Sequence, residues 1–379
     1  MECVRITFVS SSAGTTSGGI ETTVLSLAHE LSKRHDVALI TGRRVGGVRF
    51  RRNGVRVLDL PFLHRFGKPI DFASRCWPSV NPYLLESLSL RTIFSLSATV
   101  RKELRKSEVF STHTKYDSLF FSRLAAKHGT PSVFHVQGSR FGTLFKLLDR
   151  TTSYIAVSTS SKLELVRNFG LPIRDVVSPG VSKKLLGLSR DEMDYVLFVA
   201  RLQRSKGIIE AVRILSLISP DFPGLRLVVI GEGPGYGEMR GEAIRLAVLG
   251  KIDFLGALSH EEVWEYYSHA KLLLFPSRSE VYPLVPLEAM AAGCPVVASD
   301  ISGVAESTGR IPTLVSVDDV KEWIKVVTLL LTDDEARVEQ GNLGREWARR
   351  RTWDKVALEY EHALSAAVNM SIQVRRGFG

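Results

Sequence analysis

Two glutamates late in the chain, Glu280 and Glu288, are separated by seven residues that include Pro283 and Pro286. The stretch Ser277–Gly293 reads as a site more readily than as packing. Pro286 suits the first position of a helix, where a missing N–H costs nothing. Glu288 then falls in the first turn, where the helix dipole favours negative charge. Gly293 suits a left-handed stop. A helix N-terminus binds anions, and Glu280 stands in the loop leading to it. Phosphate at the N–H groups and hydroxyls at the carboxylates would suit a sugar nucleotide.

A second group of residues carries positive charge. The pattern Tyr195–Ala200 reads as a strand, and Arg201-Leu202-Gln203-Arg204-Ser205-Lys206-Gly207 comes directly after it. Cations at the end of a strand, then a glycine opening a helix, suit a diphosphate. Alone, these residues read equally well as a solvated basic turn; Glu280 and Glu288 shift the balance toward a site. In the loop Ser10–Gly19, Gly14, Gly18 and Gly19 would let backbone approach a ligand, or the loop is simply flexible. His113 and His135 fall at or near strand ends. Each could be a polar contact or a general base, although a satisfied structural histidine is the commoner outcome. The run Gly231–Gly237 between a strand and a helix is weak evidence for a dinucleotide. With no acidic residue marking the end of the next strand, it reads as a tight turn. Asp318-Asp319 and Asp333-Asp334 look like helix-start acids. No His/Asp cluster has metal-ligand spacing.

The elements that must position these residues alternate between strand and helix. The first half gives strands at Val4–Val9, Val37–Thr41, Val55–Leu60, Val109–Thr112, Ser132–Val136, Tyr154–Ser158 and Val176–Ser178. Helical spacing appears at Ile20–Arg34, Leu90–Lys106, Ser118–His128 and Ser161–Phe169, and Pro61–Arg91 is irregular. Ser182–Asp194 is polar and reads as a linker. The alternation then restarts and ends in helical stretches Val317–Leu331, Asp333–Arg350 and Lys355–Val368. This predicts two α/β domains, each a doubly wound parallel sheet, facing a cleft. Ligands in such sheets bind at the carboxyl ends of strands.

The bulk numbers agree with two soluble domains. The chain has 379 residues, 44% hydrophobic and 24% charged, and no apolar run approaches the ~18–20 residues of a membrane span. Its start lacks the long apolar region of a signal peptide. Cys3, Cys76 and Cys294 are scattered and odd in number, which argues against a disulfide framework and for a reducing cytoplasm. The charge is uneven. Residues 1–185 carry 28 Lys+Arg and 13 Asp+Glu, a balance of +15, and the remainder carries 22 and 27, a balance of −5. Basic residues gather at Arg43, Arg44, Arg49, Arg51, Arg52 and Arg56, and at Arg101, Lys102, Arg105 and Lys106. Either this is a generally basic surface, or the first half meets an anionic partner: a membrane surface, a phosphorylated acceptor or nucleic acid.

Taken together, these residues resemble the GT-B glycosyltransferases, and within them the retaining glycosyltransferase family 4. The segment Tyr195–Leu202 with Lys206-Gly207 after it is similar to the family's "GRL…KG" motif. Leu227–Pro234 resembles its second strand and turn. Ile252–Gly256 with Glu261-Glu262 and Tyr266 resembles its "FLG…EE…Y" segment. Phe275–Ser299 resembles the signature in which two glutamates stand seven residues apart. Gly303 and Glu306 fit the family segment next to that signature, and Gly18-Gly19-Ile20-Glu21 resembles the "GG-x-E" loop and helix.

The resemblance implies a fold of two Rossmann-like domains. An acceptor-binding domain would span 1–185, a nucleotide-sugar domain 186–354, and a C-terminal helix and tail, 355–379, would pack back on the first. It implies that Arg201 and Lys206 bind the donor diphosphate and stabilise charge on the leaving group. Glu280 would contact the transferred sugar and Glu288 the ribose hydroxyls. The loop around Tyr282, Pro283 and Leu284 would bind the donor, with Gly18 and Gly19 approaching the diphosphate. His113, His135 and Gln137 become acceptor-side candidates. The implied reaction is metal-independent hexosyl transfer with retention, from a UDP- or GDP-sugar to a glycan or lipid-linked acceptor, with no cofactor. Its place would be the cytoplasm, at the inner face of the membrane if the basic half binds there. No nucleic-acid recognition motif is visible.

The sequence also departs from the family. Family members commonly have glycines where this chain has Val281 and Pro283, and Pro283 has no N–H to offer a donor. A histidine often stands where this chain has Gln137, which can hydrogen-bond a hydroxyl but cannot act as a base. These departures give one alternative, a sugar-nucleotide-binding protein of impaired activity; another enzyme of the same fold, a GT-B epimerase, is the other.

Overall fold

The computed structural model describes residues 3–10, 18–41, 50–52, 54–59, 102–103, 105–138 and 152–377. Gly14, Arg43, Arg44, Arg49, Arg101, the irregular stretch Pro61–Arg91 and most of the helix expected over Leu90–Lys106 lie outside them. The chain forms two compact units, Met1–Ser178 with Trp353–Gly379, and Pro179–Thr352.

In the first unit the strands are β1 (Arg5–Ser10), β2 (Asp36–Thr41), β3 (Phe50–Arg52), β4 (Val55–Asp59), β5 (Val109–Thr112), β6 (Ser132–Val136), β7 (Ser153–Ala156) and β8 (Ile173–Val176). Their order in the sheet is β3-β4-β2-β1-β5-β6-β7-β8. All neighbours are parallel except β3, which runs antiparallel to β4 at the edge. The central strands are buried along almost their whole length, as parallel strands covered on both faces must be. β3 is not predicted by the sequence, because three residues containing two arginines carry no strand period. Helices α1 (Gly19–Leu31), α2 (Lys115–Lys127) and α3 (Thr159–Phe169) cross between strands. Ser158 starts α3 by accepting from Ser161 N–H at 3.0 Å, and Gly170 ends it in the left-handed conformation. This is the capping chemistry short helices need.

The second unit begins with α4 (Lys183–Leu186) and holds β9 (Met193–Val199), α5 (Ile208–Ile218), β10 (Arg226–Ile230), α6 (Tyr236–Arg245) and β11 (Ile252–Gly256). Then come α7 (His260–His269), β12 (Ala270–Phe275), α8 (Leu284–Ala291), β13 (Val296–Ser299), α9 (Ser302–Thr308), β14 (Thr313–Val315), α10 (Val320–Thr332) and α11 (Asp334–Arg349). The sheet order is β11-β10-β9-β12-β13-β14, and every pair is parallel. One core face gathers α5 and α10 residues such as Ile208, Leu215 and Trp323. The other gathers Tyr267, Leu287 and Met290. Asp319 and Asp333 cap α10 and α11 by accepting from Glu322 and Ala336 N–H at 3.1 and 2.9 Å.

Two boundaries differ from the sequence reading. Val181 and Leu185 are buried in the second unit's core, and Val181 N–H bonds Arg351 O at 2.9 Å. The stretch Ser182–Asp194 is therefore part of the second unit and not a linker, and the first break precedes Pro179. The last helix, α12 (Trp353–Gly377), starts earlier and runs further than Lys355–Val368. It belongs to the first unit, where Arg34 donates twice to Glu361, at 3.0 and 2.8 Å. Among the described residues no helix is long and apolar enough to cross a membrane. Of the basic cluster, Lys102, Arg105 and Lys106 are exposed. Arg56 is not a free cation, because it pairs with Asp36 at 2.9 Å and with Glu103 at 2.8 Å.

Candidate functional site

In the second sheet the strand order reverses between β9 and β12. Crevices outside the carboxyl ends of such a pair are where open α/β sheets bind ligands. Arg201 comes two residues after the end of β9. It is exposed and has no hydrogen-bond or ion-pair partner among the described residues. Leu202 turns inward and is buried, anchoring the loop beneath it. The chain then makes a tight turn at Arg204–Lys206 and starts α5 from Gly207, whose φ is +75°. That backbone region strongly favours glycine, and a Cβ there would also run into Pro276 O.

The loop after β12 is stitched to this turn. Arg278 N–H donates to Ser205 O at 2.8 Å. The Ser277 hydroxyl lies 3.1 Å from the same carbonyl and 2.8 Å from Glu280 Oε1. Lys206 Nζ donates to that Oε1 at 2.7 Å. Lys206 and Glu280 side chains are 25% and 13% exposed, so each is shielded enough to need a partner. An ammonium has three donors, and Glu280 takes one. Gly303 in α9 packs behind this loop, where a Cβ would meet Glu280 O. Sequence reasoning includes Ser205 and Ser277 in its candidate stretches but gives them no role, since lone serines in loops carry no pattern.

The helix after Glu280 begins sooner than expected. α8 starts at Leu284, with Pro283 as its extended N-cap. Pro286 is therefore the third helical residue, not the first, and Glu288 lies beyond the first turn, so the dipole argument does not reach it. The first four N–H positions of a helix have no internal acceptor. Here Pro283 and Pro286 remove two of them, leaving Leu284 and Val285 N–H without partners among the described residues. Tyr282 is half-buried and packs with the core beneath. Gly293, at φ +77°, ends the segment as expected.

Glu288 is 8% exposed. The Tyr267 hydroxyl donates to its Oε2 at 3.4 Å. Burial raises the Glu288 carboxyl to about 7, against a smaller lowering by the Tyr267 hydrogen bond. Tyr267 itself is pushed well up, by burial first and then by Glu288. Tyr267, next to the motif residue Tyr266, is the one that helix phase turns fully inward. The glycine run Gly231–Gly237 is a packing device. Gly231, at φ +129°, lies where a Cβ would strike Ala200 O, and Gly233 and Gly235 press on Leu202. These glycines set the loop that carries Arg201.

The first unit has its own reversal, between β1 and β5. Gly18 is the extended N-cap of α1 and Gly19 its first residue, and the Glu21 carboxylate fills the space a Gly18 side chain would take. His113 comes directly after β5 and His135 lies within β6; both are buried. His135 Nε2 donates to Val177 O at 2.8 Å, and its Nδ1 is buried without a partner among the described residues. Burial lowers His135 to about 4, against a smaller rise from that carbonyl. His113 is pushed well below the usual range, by burial first and then by His135. Neither histidine stands open as a general base. Gln137 is half-buried just past β6, with its Nε2 at 2.8 Å from His113 Nδ1.

Comparison with known proteins agrees with this architecture. The family model for "Glycosyl transferases group 1" matches residues 187–347, and the model for a "Glycosyl transferase 4-like domain" matches 18–180. Together they cover most of the chain, and the protein belongs to the group 1 glycosyltransferases of the GT-B fold. A D-inositol 3-phosphate glycosyltransferase of Corynebacterium efficiens is 33% identical over 239 residues, 56% of each chain. The counterpart from Corynebacterium urealyticum is 33% identical over 170 residues, 42% of this chain and 40% of the relative. The alignments thus span about half the length of these curated relatives. An exopolysaccharide phosphotransferase of Streptomyces coelicolor is 26% identical over 98% of this chain and 42% of its own. Among solved structures, sucrose-phosphate synthase from Thermosynechococcus elongatus aligns with a TM-score of 0.73 at 18% identity, covering 95% of this chain and 98% of that one. Anabaena HepE in complex with UDP and glucose aligns with a TM-score of 0.69 at 17% identity, covering 96% and 99%.

Proposed function

We propose that the protein transfers a hexosyl group, with retention of anomeric configuration, from a nucleotide-diphosphate sugar to a glycan or lipid-linked acceptor. The observation that carries this reading is the edge of the second sheet. Lys206 is held on Glu280, Arg201 is unpaired among the described residues, and two free N–H groups open α8. Lys206 keeps two N–H donors for a diphosphate while Glu280 fixes its ammonium. Arg201 and the N–H groups of Leu284 and Val285 add donors without adding a metal. Such preorganised donors stabilise the negative charge that develops on a leaving diphosphate. In this reading Glu280 accepts from hydroxyls of the transferred sugar, and Glu288 from the ribose. The acceptor oxygen attacks from the face that the diphosphate leaves, and a phosphate oxygen takes its proton.

The names of the neighbours support a UDP-sugar donor and a phosphorylated polyol or sugar as the acceptor class. The basic balance of the first 185 residues supports an anionic acceptor, presented in the cytoplasm or at the inner membrane face. Thermal-shift titration with UDP-, GDP- and ADP-sugars tests the donor, because a ligand that binds the native state raises its melting temperature. UDP release from UDP-glucose, with D-inositol 3-phosphate as the first acceptor tried, then tests transfer. No shift with any nucleotide sugar would sink the reading.

A further inference from the structure

We propose that Tyr360 and Ser111 act through His113 to hold the Gln137 amide as a hydroxyl-binding group at the carboxyl edge of the first sheet. This rests on the glycosyltransferase reading above. The strand register puts the participants on one face. Phe8 pairs with Ser111, and Ser111 with Val133. Residues two further along, His113 and His135, point the same way. Tyr360, from α12, lies over that face, with its ring 6.1 Å from His113 and 5.2 Å from His135. The Tyr360 hydroxyl is 2.6 Å from Ser111 Oγ, Ser111 Oγ is 3.0 Å from His113 Nε2, and His113 Nδ1 is 2.8 Å from Gln137 Nε2.

The first three members are fully buried, and burial keeps His113 neutral with one ring proton. Gln137 donates to Nδ1, so the proton is on Nε2 and points to Ser111. The imidazole is thereby gripped at both nitrogens, and the amide is gripped by the imidazole. A network serving packing alone would end in a buried, satisfied group. This one ends in a half-buried amide at the sheet edge, whose carbonyl oxygen has no partner among the described residues. An amide held by its N–H₂ presents that oxygen outward, as an acceptor for a sugar hydroxyl. Tyr360 and Ser111 are positioning residues in this scheme, and they tie the edge to a helix far along the chain.

The test has two arms, both on the full chain. In the first, ¹⁵N-histidine NMR without ligand should show His113 protonated on Nε2 and unprotonated on Nδ1 across about pH 6 to 8. Tyr360→Phe, which keeps the ring, should move the Nε2 signal. A proton on Nδ1, or titration inside that window, overturns the relay. In the second, nucleotide-diphosphate release is measured from the nucleotide sugar that the thermal-shift screen selects, with water and with D-inositol 3-phosphate as acceptor, and KM is read for both substrates. Gln137→Ala should raise KM about tenfold and Tyr360→Phe about threefold, the scale of one lost or loosened hydrogen bond. The double variant should be no worse than Gln137→Ala, because coupled residues do not add. A Tyr360→Phe enzyme with wild-type KM, or effects that multiply, overturns the proposal. If no nucleotide sugar shifts the wild-type melting temperature, the glycosyltransferase reading has failed, and the NMR arm still decides the relay.

Discussion

The two sheets share a reversal of strand order but not a chemistry. In each, the order reverses beside the first strand, and side chains gather beyond the carboxyl ends there. In the second unit the gathered groups are ions: Arg201, Lys206 paired to Glu280, and the buried acid Glu288. In the first unit they are neutral and hydrogen-bonded: Tyr360, Ser111, His113 and Gln137. One edge is suited to a charged leaving group, the other to hydroxyls. Topology therefore fixes where a site can form, and the loop residues decide what it binds.

The difference is sharpest at Lys206. Lys206→Ala should lower turnover by about 100-fold or more, the scale of one removed donor on a developing anion, while the thermal midpoint stays close to wild type. Wild-type turnover would break the contrast at its charged end. Next comes Gly207→Ala. The left-handed φ and the Pro276 carbonyl should cost about 2 kcal/mol or more, read as a lower melting temperature together with weaker donor binding in calorimetry.

Glu288 and His135 should also answer pH in opposite directions. Burial raises Glu288 from 4.5 to about 7. Between those values the unfolded chain has released a proton that the folded chain keeps, so the Glu288 contribution to stability falls as pH rises across that window. His135 is lowered from 6.5 to about 4. Its contribution is complete above 6.5 and is lost as pH falls toward 4. Hydrogen exchange compared between wild type and Glu288→Gln should show the Glu288 slope removed from the second unit and the first unit unchanged. Because ribose hydroxyls would donate to an ionised Glu288, donor affinity should also strengthen as pH rises through about 7. A pH-independent donor affinity would remove Glu288 from the site. The smallest expected effect is the threefold KM change of Tyr360→Phe.

Much of the second unit was legible in the sequence. Its strands are apolar runs buried on both faces, and Asp319 and Asp333 announce their helices. The two glutamates and the Arg201–Lys206 turn stand out by type and spacing. The first unit was less legible. Its histidines read as polar contacts, general bases or satisfied structural groups, because a sequence shows a residue near a strand end but not what covers it. α12 supplies that cover from more than 200 residues away, the separation of Ser111 and Tyr360 being 249.

By itself the sequence determined the two βα repeats, the positions of the charged loops and the family to which the chain belongs. These come from local period, turn residues and short motifs, which act within a few residues. Only the tertiary structure decided that Lys206 rests on Glu280, that Pro286 is the third and not the first residue of its helix, that Glu288 is a buried acid facing Tyr267, and that Ser182–Asp194 belongs to the second unit, anchored by Leu185, and is not a linker. Each depends on burial and hydrogen-bond partners that distant segments supply. Pairing and desolvation are set by what surrounds a group in space, and neighbours in sequence do not report that.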